Sequence, residues 1–353
     1  MTECGNETIK TMFLVWQRIV KLGLGFNPVM PVRDMANVAA RAEQEEYDSI
    51  WLHESLFQRD VVSYLSTIIA STMRLRASSG AINTFTRHPV TTATTFATLS
   101  EMSEGRITFG LGLGSFPTIP LIGYKIFPVR VTHPLQRVKE YVEVVRRIWS
   151  GEKVFFRGEF FTVENLQLGF KLEHPVPIYI ASLSPKILQF AGGAAEGAIL
   201  SPSLSTVERT SEMVRHVRTG EDAKGRRVEK ASYMLTSIDP DPKKAREVVK
   251  GFYFFLYQLS EVVNPQDLQP YGVAEEKLRV MKEAWRKGNI DEAKREVPEE
   301  AVDALTLAGT PDEARERLLE YGKAGVTMPI LMPIGNLDYA ISSMAPKLNR
   351  NGN

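Results

Sequence analysis

The 353-residue chain has a single cysteine, Cys4, which excludes an internal disulfide framework and any multi-cysteine metal site. So few thiols fit a reducing, cytoplasmic setting, and that is the expectation. No uninterrupted run of about 18 apolar residues exists. Even "IKTMFLVWQRIV" (9–20) is broken by Lys10, Gln17 and Arg18. No transmembrane helix is therefore expected, and no small-residue cleavage site marks a secretory signal. Residues 1–20 read as an N-terminal extension, either a short amphipathic helix or a disordered segment. An excess of either charge is also missing: 43 Lys and Arg face 42 Asp and Glu, a net charge of +1. Nothing in that balance calls for nucleic acid or an anionic membrane. The five histidines show no H-x-x-x-H or H-E-x-x-H spacing, so no metal site is expected. There is no G-x-S-x-G nucleophile elbow and no G-x-x-x-x-G-K-[ST] loop.

What is present is a rhythm. "KLGLGF", "YDSIWL", "LRASSGAI", "RITFGLGLG", "PIYIA", "GAILS", "SYMLTSI" and "MPILMP" read as strands, and each is followed by a helical segment. These segments are 33–47, 60–73, 89–103, 134–150, 185–194, 205–219, 242–260 and 336–347. Eight strand–helix units predict an α/β protein, a closed (β/α)8 TIM barrel. "HPV", "HPL", "SPK" and "DPK" put proline in the first helical turn, where no N–H is lost. "TPDE" (310–313) reads as a capping box between Thr310 and Glu313. Residues 151–173 read as a hairpin insertion and 261–309 as a charged, helical insertion. The expected organisation is the extension followed by one barrel domain over 21–353.

"GRITFGLGLGSFP" (105–117) carries the sharpest pattern. Its G-x-G-x-G spacing, followed by Pro117 and Pro120, fails the dinucleotide-binding fingerprint, which needs G-x-G-x-x-G opening a helix. In a strand, Gly110, Gly112 and Gly114 share one side and Phe109, Leu111 and Leu113 the other. Bare positions in a strand mark close approach, either of a flat ligand over the strand end or of tightly packed interior groups.

"SIWLHESLFQRD" (49–60), "INTFTRHPVTTATTFATLSEMSEGRITFGLGLGS" (82–115), "GEKVFFRGEFF" (151–161) and "PIYIASLSPKILQFAGGAAEGAILS" (177–201) occur in the order of the luciferase-like flavin and deazaflavin oxidoreductases. The chain resembles that family over roughly residues 21–240 and the last strand–helix unit. Within it, the chain looks most like the coenzyme F420-dependent, methylenetetrahydromethanopterin reductase-like branch. The resemblance implies a TIM barrel with F420, or alternatively FMN, at the C-terminal mouth. It also implies hydride transfer between the cofactor ring and a small-molecule substrate. An FMN-dependent monooxygenase and a barrel that binds flavin without turnover are the alternatives. A homodimer or higher homo-oligomer is implied, with the apolar second and third helices as contacts.

The resemblance also places residues. Glu54 matches the acid of a W-x-x-[DE]-H motif and would contact ring or substrate, or assist a proton transfer; the next position is Ser55 rather than histidine. His53 should point away from Glu54. A bulge at "SSGAIN" (78–83), often with a non-prolyl cis peptide, would back the ring, with the cis bond joining Gly80 and Ala81. Asn83 would hydrogen-bond the pyrimidine edge of the ring or cap a turn. Gly112, Gly114 and Ser115 would lie beside the cofactor. Ser182, Ser184 and Lys186, at a helix start with free N–H groups, would hold its phosphate. Asn27 and Ser55 would face the substrate, whose walls would come from the 261–309 insertion. Arg87 would pair with an acid, with a contact to an anionic cofactor tail as a second role, and His88 would cap a helix. The pterin-using reductases tend to carry a glutamate where this chain has Gly25, which argues against that specific activity.

Overall fold

A computed structural model describes residues 21–55, 58–114, 132–200 and 204–346. The expected N-terminal extension and Ser115 lie outside them. In chain order the barrel strands are β1 (Gly23–Phe26), β2 (Ser49–Leu52), β3 (Arg76–Ser79), β5 (Ile107–Gly112), β8 (Ile178–Ala181), β9 (Gly197–Ile199), β10 (Glu229–Ile238) and β12 (Met328–Pro333). Each pairs in parallel with the next, and β12 returns to β1, with Gly23 opposite Ile330. The cylinder therefore closes, as the eight-unit rhythm predicts. A two-residue strand, β4 (Ile82–Asn83), continues the third unit and sets Asn83 opposite Gly112.

The outer helices begin where the sequence says they should. They are α1 (Val32–Gln44), α2 (Val61–Ser71), α3 (Pro89–Ser103), α4 (Pro134–Trp149), α5 (Pro185–Ala194) and α6 (Val207–Lys224), followed after β10 by α7 (Pro242–Lys250). Proline opens α3, α4, α5 and α7. His88 caps α3 through its side chain, accepting from the Val90 N–H. Thr310 and Glu313 form the reciprocal box that starts the helix Pro311–Ala324.

Strand periodicity sorts the side chains into two layers. Ile50, Leu52, Phe109 and Leu111 face outward and pack under the helices. Trp51, Tyr179, Tyr233, Ile199 and Ile330 face inward and fill the cylinder. At the N-terminal rim Glu229 accepts from Lys21 (2.7 Å) and from the Tyr179 hydroxyl (2.6 Å), and Arg76 pairs with Asp48. In a barrel such a rim serves stability, while chemistry sits at the other end.

Both insertions exist. The first is an antiparallel hairpin of β6 (Val154–Arg157) and β7 (Thr162–Leu166). Its turn is tied to α4 by Glu140, whose carboxylate accepts from the backbone N–H groups of Glu159 and Phe160, each at 2.8 Å. The second starts earlier than expected. Gly251 ends α7, and α8 (Tyr253–Glu261) opens the insertion, so the predicted continuous segment 242–260 is two helices. Helices α9 (Glu275–Arg286), α10 (Ile290–Arg295) and α11 (Glu299–Leu305) follow, and a short strand β11 (Leu307–Gly309) joins the end of β10. The apolar face of this insertion is continuous with the barrel interior: Phe255, Leu256, Leu268 and Met281 share one cluster with Tyr233, Leu235 and Met332.

Candidate active site

The C-terminal end of β2 delivers Glu54 into a turn built from 83–88. Its carboxylate accepts from Arg87 Nε (2.5 Å), from the Asn83 backbone N–H (2.8 Å) and from the Thr86 hydroxyl (3.0 Å). The side chain is 7% exposed, so this is a buried clamp rather than a solvated loop carboxylate. Arg87 also donates to Asp60, the residue that caps α2. Burial works against the Arg87 charge, but the bonds to Glu54 and Asp60 outweigh it and raise its pKa. Arg87 thus spans two acids, which accounts for it without an anionic ligand.

The same turn is held from α4. Arg137 donates to the Thr84 carbonyl (2.9 Å), with its guanidinium 4.1 Å from the Phe85 ring centre. The Tyr141 hydroxyl donates to the Arg87 carbonyl. Arg137 and Tyr141 are functional candidates that the sequence reading missed. Their signal is long-range, since 53 residues separate Arg137 from its acceptor.

Asn83 takes the second of its two expected roles. Its Oδ1 accepts from the Phe85 N–H, capping the turn. Its Nδ2 is buried and has no partner among the described residues. A buried amide donor left unpaired costs about 1–3 kcal/mol, which an acceptor on a ligand here would offset.

The peptide between Gly80 and Ala81 is cis, at the place the resemblance implies. Beneath it stands Tyr233, whose hydroxyl donates to the Gly80 carbonyl (2.9 Å). The glycines around it answer the close-approach question differently from one another. A Cβ on Gly80 would lie 2.0 Å from the Tyr233 hydroxyl oxygen, and one on Gly25 would lie 2.8 Å from the Tyr233 ring. A Cβ on Gly110 would lie 2.1 Å from the Ser79 carbonyl oxygen. At these three positions the bare backbone admits interior protein groups. Gly112, one step nearer the mouth, differs: its nearest neighbours are the Ala181 carbonyl at 3.2 Å, the Ala181 Cβ at 3.3 Å and the Ala81 Cβ at 3.7 Å. Gly114, past the strand end, has φ +70°. The shared-side pattern of the three glycines therefore ends with β5 at Gly112.

His53 turns away from Glu54, as alternation predicts. Its ring lies 4.3 Å from the Tyr233 ring, centre to centre, on the inner side of the barrel. At β8 the Ser182 hydroxyl accepts from the Ser184 N–H (3.0 Å), and Ser184 starts α5 without capping it through its own side chain. Lys186, the second residue of α5, is exposed. Asn27 lies in the turn after β1, where its carbonyl accepts from Val29, and the Ser55 carbonyl accepts from Gln58. Glu54, Gly80, Ala81, Asn83, Gly112, Ser182 and Asn27 are thus all brought to the C-terminal ends of the strands. Among the described residues no group of histidines, cysteines and acids could hold a metal ion.

The donor set fits a flat, polar-edged ring carrying a phosphate. Asn83 Nδ2 offers a buried donor, Ala81, Ala181 and Gly112 offer a low apolar wall, and α5 offers the N–H groups of its first turn.

Comparison with known proteins shows the family and the fold. The sequence profile of the luciferase-like monooxygenase family matches residues 12–328. The 5,10-methylenetetrahydromethanopterin reductase of Archaeoglobus fulgidus is 29% identical over 322 residues, covering 90% of this chain and 94% of that protein. The F420-dependent glucose-6-phosphate dehydrogenase of Amycolatopsis mediterranei is 26% identical over 307 residues, covering 83% and 86%. Among solved structures, the coenzyme F420-dependent tetrahydromethanopterin reductase from Methanopyrus kandleri superposes with a TM-score of 0.82 at 24% identity, covering 92% of this chain and 97% of that one.

Proposed function

The chain belongs to the luciferase-like monooxygenase family, and from that membership we propose that it is a coenzyme F420-dependent oxidoreductase, moving hydride between the deazaflavin and a small organic substrate at the barrel mouth. The observation that carries this reading is the buried Asn83 Nδ2, without a partner among the described residues and close to the Gly80–Ala81 peptide, in a chain whose relatives include F420-dependent reductases and dehydrogenases. The cofactor supplies the carbon that takes or gives hydride; the protein orients it and keeps water out. In this reading Ala81 and Gly112 flank the ring and Asn83 donates to its polar edge. Gly114 borders it, and Ser182, Ser184 and the Lys186 N-terminal turn of α5 receive the phosphate. Asn27 and Ser55 face the substrate, walled on one side by Phe252 at the start of the insertion and by Ile334, which follows β12. Glu54 fits a positioning role, since both of its oxygens are already engaged.

The test is spectroscopic. Oxidised F420 with a secondary alcohol or glucose 6-phosphate, and reduced F420 with methylenetetrahydromethanopterin, should yield deazaflavin-dependent turnover with one organic partner. Oxygen-dependent turnover with reduced FMN alone would contradict the reading and favour a monooxygenase.

A homodimer through α2 and α3 belongs to the same proposal. These helices border an outward groove of about 470 Å³ lined by Val62, Ser66, Val90, Thr95, Leu99 and Met102, and Met102 is 52% exposed. Sedimentation should give twice the chain mass, falling to one chain in Met102→Glu; a wild-type monomer would contradict it. The single cysteine supports a cytoplasmic setting. Among the described residues no helix is long and apolar enough to cross a membrane, and the near-neutral charge supports no nucleic-acid partner.

A further inference from the structure

We propose that Tyr233 is a positioning residue for the cofactor: its hydroxyl, reaching across the barrel from β10, fixes the place of the Gly80–Ala81 peptide against which the ring lies. That this peptide faces F420 rests on the function proposed above; that Tyr233 holds it rests on the geometry of the chain alone.

Around the cylinder the strands run β10, β12, β1, β2, β3, β5, β8, β9, and β9 pairs back to β10. β3 is therefore as far from β10 as the ring of strands allows, and the two face each other across the interior. Tyr233 crosses that space. Its hydroxyl donates to the carbonyl of Gly80, the residue after β3, at 2.9 Å. Two bare positions keep its path clear: a Cβ on Gly25 would lie 2.8 Å from the phenol ring, and one on Gly80 would lie 2.0 Å from its oxygen. His53, just after β2, lays its imidazole on the same ring, with centres 4.3 Å apart. One side chain from β10 thus meets the ends of β1, β2 and β3. It is 6% exposed, and burial raises its pKa well above the ordinary phenol value, so the hydroxyl keeps the proton it donates.

The Gly80 N–H donates in turn to the Leu52 carbonyl at the end of β2 (2.8 Å). Both backbone polar groups of Gly80 are therefore tied to other strands. Ala81, which follows, stands with Ala181 around Gly112, and two residues on Asn83 carries the buried Nδ2. The far end of this short segment is held by Glu54, which accepts from the Asn83 N–H. Tyr233 secures one end of the segment from inside the barrel and Glu54 the other from the mouth. Without the hydroxyl the Gly80 carbonyl loses its donor, and the residues placed against the cofactor ring lose one of their two anchors.

Tyr233→Phe keeps the ring and removes the hydroxyl. Tyr179→Phe is its control, another inward tyrosine of the same cluster, whose hydroxyl bonds Glu229 at the opposite rim. Amide hydrogen exchange of the free proteins, read by mass spectrometry over residues 78–86, should be at least tenfold faster than wild type in Tyr233→Phe and within twofold of wild type in Tyr179→Phe. The Kd for F420 should rise at least tenfold in Tyr233→Phe and less than twofold in Tyr179→Phe. A hydroxyl that served only the stability of the barrel would move neither quantity selectively. Unchanged exchange over 78–86 in Tyr233→Phe, unchanged F420 affinity in that variant, or an equal loss of affinity in both variants would overturn the proposal. So would failure of Tyr233→Phe to accumulate where Tyr179→Phe does, which would make the hydroxyl a requirement of the whole fold. If the wild-type protein binds no F420, the function proposed above fails, and the exchange comparison on the free proteins still decides whether Tyr233 holds the segment.

Discussion

Glu54→Ala should destabilise the fold by about 3 kcal/mol and reduce F420 affinity at least tenfold. The carboxylate is buried and engages three donors. Removing it leaves the Asn83 backbone N–H without its acceptor and leaves Arg87 with Asp60 as its remaining carboxylate. Breaking a buried pair from one side costs about 3–5 kcal/mol, and the 29% exposure of Arg87 puts this case at the lower end. The affinity loss follows from geometry, because the turn that Glu54 clamps carries the Asn83 amide. Glu54→Gln separates positioning from proton transfer. Its single carbonyl oxygen can keep one backbone bond, so the stability loss should fall to about 1–2 kcal/mol. For a positioning residue, turnover should fall less than tenfold. A loss of about 10²–10⁴-fold with stability retained would instead make Glu54 a proton-transfer group. Urea unfolding and F420 titration on the same samples read both quantities.

Adjacent members of the glycine strand should respond in opposite ways. Gly110→Ala places a methyl 2.1 Å from the Ser79 carbonyl oxygen, which is backbone and cannot rotate aside. Ser79 and Gly110 also exchange two hydrogen bonds at 2.9 Å through the Ser79 hydroxyl. Overpacking at such a junction costs about 1–3 kcal/mol, and more when strands must part. Gly110→Ala should therefore lower the unfolding free energy by about 3 kcal/mol or fail to accumulate. Gly112→Ala meets its nearest neighbour at 3.2 Å, which a shift of a few tenths of an ångström relieves. Stability should change by less than about 1 kcal/mol, while F420 affinity should fall because the methyl stands beside Ala81 and Ala181. Equal destabilisation by the two substitutions, with equal cofactor affinity, would show that both glycines serve packing.

The barrel is legible in the sequence because its determinants are local. Alternating apolar residues, prolines at helix starts, and the Thr310–Glu313 box each act within a few residues, and the structure repeats them nearly position for position. The bulge at 78–83 is legible through the family resemblance, which locates the Gly80–Ala81 bond. What fills the bare positions is not legible. Gly25 and Gly80 show that something comes close, but the neighbour is Tyr233, 208 and 153 positions away in the chain. A comparable separation in the chain hides the packing of the His53 ring on that tyrosine. The start of the second insertion was misplaced because Gly251 and Phe252 interrupt a segment that otherwise keeps helical periodicity on both sides. Strand β11 is only three residues long and pairs with the far end of β10, too short for a periodic signal.

The most direct test of the central claim is equilibrium titration of the purified protein with F420 and with FMN, followed by tryptophan fluorescence, since Trp51 lies inside the barrel beneath the Gly80–Ala81 peptide. Saturable binding of F420 at least tenfold tighter than of FMN, weakened by Gly112→Ala, is the predicted result. Indifference to both cofactors would contradict it.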